Sequence, residues 1–113
     1  MAKSLNFNNV VKQYLTVTLS DENNTRLLIG TPTKAVMDEL LYFQSTLTEL
    51  AETESNEVII DALYRTCAKI MSRNKAGITI TSDYLAGILD FEDILTFITS
   101  YSEFVSEIIN SKN

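Results

Sequence analysis

The sequence predicts a mainly helical α+β fold, in which an N-terminal β-hairpin is followed by a compact bundle of three long helices and one short helix. Two observations support this prediction. Residues 15–19 alternate between apolar and polar side chains, which is the period of a strand. Three later stretches repeat apolar residues every three or four positions, which is the helical period. The chain has 113 residues, which suits one domain; we place it at 13–110, after a flexible N-terminal arm at 1–12.

The hairpin is predicted from two short apolar runs on either side of a turn. Leu15, Val17 and Leu19 share one face of the first strand, and the second strand follows at 25–29 before Gly30. The Ser-Asp-Glu-Asn-Asn sequence between the strands has the composition of a turn. Because two strands alone are marginally stable, one face of the hairpin must pack against helices.

The first long helix is predicted to begin in the Thr-Pro-Thr sequence and to end near residue 52. Pro32 suits the first helical position with Thr31 as the N-cap, and Thr33 is the alternative cap. The polar stretch 52–56 that follows is predicted to be a surface loop.

The second long helix is predicted to start at a cap formed by Ser55 or Asn56 and to end at Gly77. A short extended segment at 78–81 is a candidate third strand. Its last residue, a threonine, is expected to cap a short helix at 82–89.

The terminal stretch carries the most regular pattern and is predicted to form the third long helix. Asp90 is the expected N-cap, and Glu92 and Asp93 place negative charge in the first turn, where the helix dipole is positive. The apolar stripe of this helix must lie against this chain's own core or against another chain. The stripe consists of Ile94, Phe97, Ile98, Tyr101, Phe104, Val105, Ile108 and Ile109.

Charge restricts the class of partner. The formal net charge is −6, which argues against binding to bare nucleic acid because phosphate contacts need Lys and Arg. The charge is uneven, since the part from Ser82 onward holds six acidic residues and one lysine. This pattern fits a solvated helix face and also a surface for a basic partner. No stretch is long and apolar enough to cross a bilayer, so no membrane partner is expected.

Residues that could carry out chemistry are sparse. The chain has no histidine, and its single cysteine, Cys67, is expected in the core because it lies on the apolar side of a predicted helix. The three glycines are too far apart for a phosphate-binding loop, and Asp90, Glu92 and Asp93 lack the spacing of a calcium loop. The sequence therefore predicts no enzyme, no cofactor and no metal ion. A lone cysteine also suits a reducing cytoplasm.

Four segments carry a resemblance to a known family. They are the strand YLTVTL at 14–19, the helix start TPT at 31–33, the helix stop NKAG at 74–77, and the terminal helix DFEDILTFITSYSEFVSEI at 90–108. Together they resemble the tail assembly chaperones of siphophages and prophages of Gram-positive bacteria. The resemblance spans 13–109 and includes no catalytic motif.

The resemblance implies a function in phage tail assembly. Such chaperones bind the long, helical tape measure protein, keep its apolar segments soluble, assist assembly of the tail tube and are absent from the mature virion. The implied location is the host bacterial cytoplasm. The tape measure protein is the implied partner, the tail tube protein is a second candidate, and self-association is expected.

A partner-binding surface is predicted on the terminal helix, together with part of the first helix. Its candidate residues are Phe97, Tyr101, Phe104 and Ile108. An aromatic-rich helix of this kind could cover apolar helices of the partner. Two other functions stay open. One is a small acidic phage inhibitor of a host defence protein or of a nucleic-acid-handling protein, and the other is a structural tail or connector protein.

Overall fold

The structure, a computed structural model, describes residues 5–6, 12–53 and 56–111, and it describes side chains for 5–6, 12–43 and 57–110. Within these ranges an antiparallel hairpin precedes four helices, which confirms the predicted mainly helical α+β fold. The elements are β1 (Leu15–Thr18), β2 (Arg26–Ile29), α1 (Lys34–Thr53), α2 (Asn56–Met71), α3 (Ser82–Ile88) and α4 (Phe91–Ser111). Most of the predicted N-terminal arm and the candidate cap Ser55 lie outside the described residues.

The hairpin has the predicted position and alternation. Leu15 of β1 lies opposite Ile29 of β2, and the Leu19 N–H donates to the Thr25 carbonyl, 2.8 Å away, where the strands meet the turn. Asn24 closes the turn with a positive φ of 49°, a conformation that asparagine tolerates better than most residues. The apolar side chains of the two strands, apart from exposed Leu28, belong to the core or pack against it.

The second edge of β2 is paired by the segment that follows α2. The Gly30 N–H donates to the Arg73 carbonyl, and the Lys75 N–H donates to the Leu28 carbonyl, each at 2.9 Å. Between these two bonds, Asn74 forms a bridge to the strand. The hairpin is therefore joined through its backbone to the end of α2.

Residues 78–81 do not form the third strand that the sequence suggested. Their backbone groups bind side chains of the preceding turn, because the Ile78 N–H donates to Asn74 Oδ1 and the Ile80 N–H donates to Ser72 Oγ, each at 2.9 Å. The Ser72 hydroxyl also donates to the Ile80 carbonyl at 3.0 Å. These contacts replace the ladder that a strand would have made.

Asn74 also explains why α2 ends earlier than predicted. Its side-chain Nδ2 donates to the carbonyl of Met71, the last residue of α2, at 2.9 Å and to the Ile78 carbonyl at 2.6 Å. Gly77, predicted as the terminator, instead lies in the turn beyond, where its φ of +75° suits glycine. The residue that ends α2 is therefore a buried asparagine.

Of the two predicted caps for α1, the structure selects Thr33. Its Oγ1 accepts from the N–H three residues later at 3.4 Å, and its carbonyl accepts from the N–H four residues later at 2.9 Å. The first alternative, Thr31 as the cap and Pro32 as the first helical residue, is wrong because α1 begins at Lys34.

The caps of α3 and α4 agree with the sequence. The Thr81 hydroxyl accepts from the Tyr84 N–H at 3.1 Å. At α4, Asp90 Oδ1 accepts from the Asp93 N–H at 2.9 Å while Asp93 Oδ2 accepts from the Asp90 N–H at 3.0 Å. This reciprocal pair has the geometry of a capping box, with an aspartate at each end.

The core lies between the hairpin, α2 and α4. Tyr101 of α4 is fully buried, and its hydroxyl donates to the Gly30 carbonyl at 2.8 Å, which ties α4 to the end of β2. Cys67 is also fully buried, which confirms its predicted core position. The largest fully buried side chains are Tyr101, Leu19, Leu27, Ile29, Leu63, Ile70, Met71, Leu85, Ile94 and Cys67.

The Asn74 contacts lead to a stability prediction. Asn74→Ala should lower the free energy of unfolding by about 2 to 4 kcal/mol, because it leaves buried backbone groups without partners. Urea denaturation would measure the change, with the exposed neighbour Thr79→Ala as the matched control. A loss as small as that of the control would show that water replaces the side chain.

Candidate functional site

The four predicted partner-binding residues face the interior of this chain. Phe97 is 6% exposed, Tyr101 0% and Phe104 9%, while Ile108 is half-buried and packs against the core. The ring centroids of Phe97 and Tyr101 are 5.8 Å apart, and those of Tyr101 and Phe104 are 6.0 Å apart. In this conformation the three aromatic side chains form part of the core, so a partner could reach them only after they leave it.

A second line of side chains, which is partly exposed, runs along α4. It runs beside the line of Phe97, Tyr101 and Phe104. Its members are spaced four, three, four, three and four residues apart, which is the spacing of a heptad repeat. We call it the outer seam, and it consists of Phe91, Leu95, Ile98, Ser102, Val105 and Ile109. Because every member lies within a narrow stripe on the helix surface, a second helix could lie along it.

The outer seam is apolar but only partly covered. Phe91 is 39% exposed, Leu95 38% and Ile109 60%, whereas Ile98 is half-buried and Val105 is buried. A shallow groove follows this side of α4, lined by Leu95, Ile98, Thr99, Ser102, Glu103, Ser106, Glu107 and Asn110. Small hydroxyl side chains in such a groove permit close approach of another backbone, and the two glutamates give one side a negative charge.

The first helix also presents apolar side chains to solvent. Leu41 is 52% exposed and Tyr42 is 53% exposed, and the Tyr42 ring meets the ring of buried Phe43 edge-on, with centroids 5.9 Å apart. The sequence placed part of the binding surface on this helix without naming residues. Leu41 and Tyr42 are the members of α1 that the described side chains offer for such a surface.

Asp21 connects the hairpin turn to α3. Its carboxylate accepts from the Thr25 N–H at 2.8 Å and from the Thr25 hydroxyl at 2.5 Å, and it also accepts from the Tyr84 hydroxyl. The Thr25 and Tyr84 side chains lower the pKa of Asp21 to about 2, and the bond to Asp21 raises the pKa of the Tyr84 hydroxyl. This cluster stabilises the position of α3 against the hairpin.

Buried titratable groups on α2 and α4 have pKa values above their usual range. Burial raises the pKa of the Cys67 thiol to about 12, and burial also raises the pKa of the Tyr101 hydroxyl to about 12. Tyr64 donates to the Leu89 carbonyl at 2.7 Å, and its hydroxyl pKa is raised, chiefly by burial. These shifts follow from burial, and the three side chains form part of the packing.

The described residues contain no cluster of three or more His, Cys, Asp or Glu side chains that could hold a metal ion. None of the described helices has the length and apolarity that a membrane span requires. No protein-family model, curated protein or solved structure matches the chain.

Spacing alone does not separate the two faces of α4. The core-facing series Ile94, Phe97, Tyr101, Phe104, Ile108 and the outer seam are both spaced by three and four residues, and they differ by one position along the chain. The core-facing series carries three aromatic rings, so it buries more apolar area and occupies the interior. The sequence-based prediction took the most aromatic stretch of α4 as the binding surface, and these side chains lie in or against the core.

The Asp21 cluster predicts a pH dependence. Asp21→Asn should lower the midpoint of urea unfolding at pH 7, and the difference from the unmodified chain should disappear as the pH falls below 3.8 toward 2. The folded-state pKa is the lower one, so ionised Asp21 stabilises the fold above pH 3.8, and protonation removes this contribution. The nearby Asp83→Asn controls for the loss of one negative charge. A difference that persists at pH 2 would contradict the assignment.

Cys67 should be unreactive in the folded protein. We expect its reaction with a thiol reagent at pH 8 to be slower by at least about a hundredfold than in the urea-unfolded chain, because the thiol is buried and protonated. Thr79→Cys adds an exposed thiol to the same molecule as a control. Fast reaction of both thiols in this variant would show that the core around Cys67 opens readily.

Proposed function

We propose that the chain is a phage tail assembly chaperone that binds the tape measure protein, keeps it soluble and assists assembly of the tail tube. Its site of action in this proposal is the host bacterial cytoplasm, and it leaves before the virion is complete. The proposal starts from the sequence resemblance, and the proposed function is not enzymatic. The outer seam of α4 is the structural observation that carries it.

The outer seam suits a helical partner. α4 has 21 residues, and at about 1.5 Å per residue its surface runs for roughly 30 Å, enough for four turns of a second helix to lie alongside. A heptad-spaced apolar series lets the side chains of two helices interdigitate. The tape measure protein is long and helical, so its apolar segments offer matching surfaces along their length.

The composition of the surface suits reversible binding. The exposed apolar side chains on α4 are few and are separated by Ser102 and flanked by glutamates, so the area that a partner helix could bury is modest. A modest apolar area gives weaker binding and faster dissociation than an interface with a large apolar core. A chaperone that must release its client needs this property.

The acidic surface supports a role in solubility. The net charge of −6 would be added to the complex, and charge of one sign keeps protein assemblies apart in solution. An apolar client helix seated on the outer seam would lose its exposed apolar surface and gain acidic neighbours. Both effects oppose aggregation of the client.

Co-expression with the tape measure protein tests the proposal. We expect the long protein to become soluble and to co-purify with the tagged chain. The double variant Leu95→Ser, Ile109→Ser should reduce the captured amount at least about fivefold, because it removes two exposed apolar side chains from the seam. Circular dichroism should show an unchanged fold, since neither side chain is buried.

The control variant is Leu28→Ser, which removes an apolar side chain that is 36% exposed on the hairpin. It should leave capture unchanged. Equal loss in the control and in the seam variant would show that capture does not depend on α4. A tape measure protein that stays insoluble with the unmodified chain would contradict the chaperone function itself.

A further inference from the structure

Three segments of the chain place cations around one small pocket at the open end of the hairpin. They are the residues that precede β1, the residues that follow β2 and the turn after α2. The pocket has a volume of about 230 Å³, and none of the described residues that line it is acidic. We call it the basic pocket, and its lining consists of Lys12, Tyr14, Gly30, Thr31, Arg73, Asn74 and Lys75.

Arg73 is held in place by its backbone and by one of its side-chain nitrogens. Its backbone carbonyl accepts from the Gly30 N–H at 2.9 Å, and its Nε donates to the Thr31 carbonyl at 3.0 Å. The Nε–H is only one of the donors of a guanidinium, so both terminal nitrogens can still bind a ligand. The guanidinium is therefore oriented before anything binds, which lowers the entropy cost of binding.

Lys75 is also positioned by two contacts. Its backbone N–H donates to the Leu28 carbonyl at 2.9 Å, and its ammonium lies 5.7 Å from the centroid of the Tyr14 ring. At that distance the ring attracts the ammonium electrostatically. Because an ammonium carries three N–H donors, it can bind an anion on the side that faces away from the ring.

The charge of the basic pocket is not balanced from within the described chain. Among the described residues, no acidic side chain forms an ion pair with Lys12, Arg73 or Lys75. Cations that share a pocket repel one another, and a bound anion offsets that repulsion. The basic pocket is thus a local exception in a chain whose formal net charge is −6.

We propose that the basic pocket binds a small anion of the phosphate class, with the side-chain nitrogens of Lys12, Arg73 and Lys75 as its ligands. A phosphate group carries more than one negative charge at neutral pH and has oxygens in several directions, so it can bind a guanidinium and ammonium groups together. A single carboxylate has less charge and fewer oxygens, so it would leave some of these donors unpaired. The proposal does not depend on the chaperone function, because none of these residues belongs to the outer seam.

The size and the surroundings of the basic pocket restrict the ligand to a small molecule. A volume of about 230 Å³ lies below the range of about 300 to 1,000 Å³ that is usual for drug-sized ligands, which favours a compact anion. A nucleic acid would extend beyond the pocket and meet an acidic molecule, whose charge acts over a Debye length of about 8 Å. Free phosphate and the phosphate ester of a small metabolite share the chemistry that fits.

Titration with inorganic phosphate at pH 7 and constant ionic strength tests the site, with the amide chemical shifts of the full chain as the readout. We expect saturable shifts at 12–14, 30–31 and 73–75, with a Kd of about 1 mM or lower. The double variant Arg73→Gln, Lys75→Gln should bind at least about tenfold more weakly, because it removes two charged donors. Both side chains are exposed and the backbone bonds to β2 remain, so the variant should fold.

The matched control is Arg26→Gln, Lys69→Gln, which removes one arginine and one lysine that are exposed elsewhere on the chain. It should bind phosphate within about twofold of the unmodified chain, because distant exposed charges are screened. Arg73→Lys keeps the charge and loses the planar guanidinium, so it should retain only part of the affinity.

A second titration, with glycerol phosphate, distinguishes the two sources of the anion. Tighter binding of the ester than of inorganic phosphate would show that the organic part of a metabolite also contacts the basic pocket. Equal or weaker binding of the ester would identify free phosphate as the ligand. In both cases the Arg73→Gln, Lys75→Gln variant should lose the binding.

Three results would overturn the proposal. Shifts that do not saturate up to about 20 mM phosphate, or that sodium chloride reproduces at the same ionic strength, would show ionic screening and no site. Equal affinity in the pocket variant and in the control would place the anion elsewhere on the chain. A single-stranded oligonucleotide that binds the pocket more tightly than phosphate would make the ligand a nucleic acid and not a small anion.

Discussion

The fold depends on the pairing of β2 with the turn after α2. A two-stranded hairpin is marginal in water, and this one gains a second set of backbone bonds from Arg73 and Lys75. The turn can make these bonds because the Asn74 side chain holds its neighbouring backbone groups on both sides. Without this arrangement, the hairpin would be held against the helices by side-chain contacts alone, among them the hydrogen bonds from Tyr84 to Asp21 and from Tyr101 to Gly30.

The buried face of α4 completes the same region. The Tyr101 hydroxyl reaches the Gly30 carbonyl across 71 residues of sequence, so β2 is fixed at its end by a side chain as well as by backbone. Phe97 and Phe104 pack on either side of that ring. The three aromatic residues consequently belong to the interior, and the adjacent side of α4 is only partly covered.

Much of this architecture could be predicted from local sequence. The hairpin follows from strict alternation, and the caps at Thr81 and Asp90 follow from side chains that bind the first turn of a helix. The failures at 72–81 lie just beyond the end of α2, where side chains bind backbone groups of the following segment. Asn74 and Ser72 occupy the backbone of 78–80, and no periodicity in the sequence reports such contacts.

The candidate surfaces were predictable only in part. Helical spacing identified α4 as amphipathic, but the same spacing occurs in two adjacent series, and only the packing shows which one is covered. The edge of β1 that no described strand pairs has no sequence signal, because a strand looks the same whether one or both edges are paired. Its neighbour Lys75 comes from a distant segment, so the charge at that end appears only in three dimensions.

Ser102 would make helix binding at the proposed outer seam sensitive to the alignment of the partner. It is a small hydroxyl residue in the middle of an otherwise apolar series, with Ile98 on one side and Val105 on the other. A large apolar side chain from a neighbouring helix would meet a polar group there, whereas a small or hydroxyl-bearing one would fit closely. In the proposed complex, sliding such a helix by one turn would therefore exchange a good fit for a poor one, so the seam would favour particular alignments of a repetitive client helix.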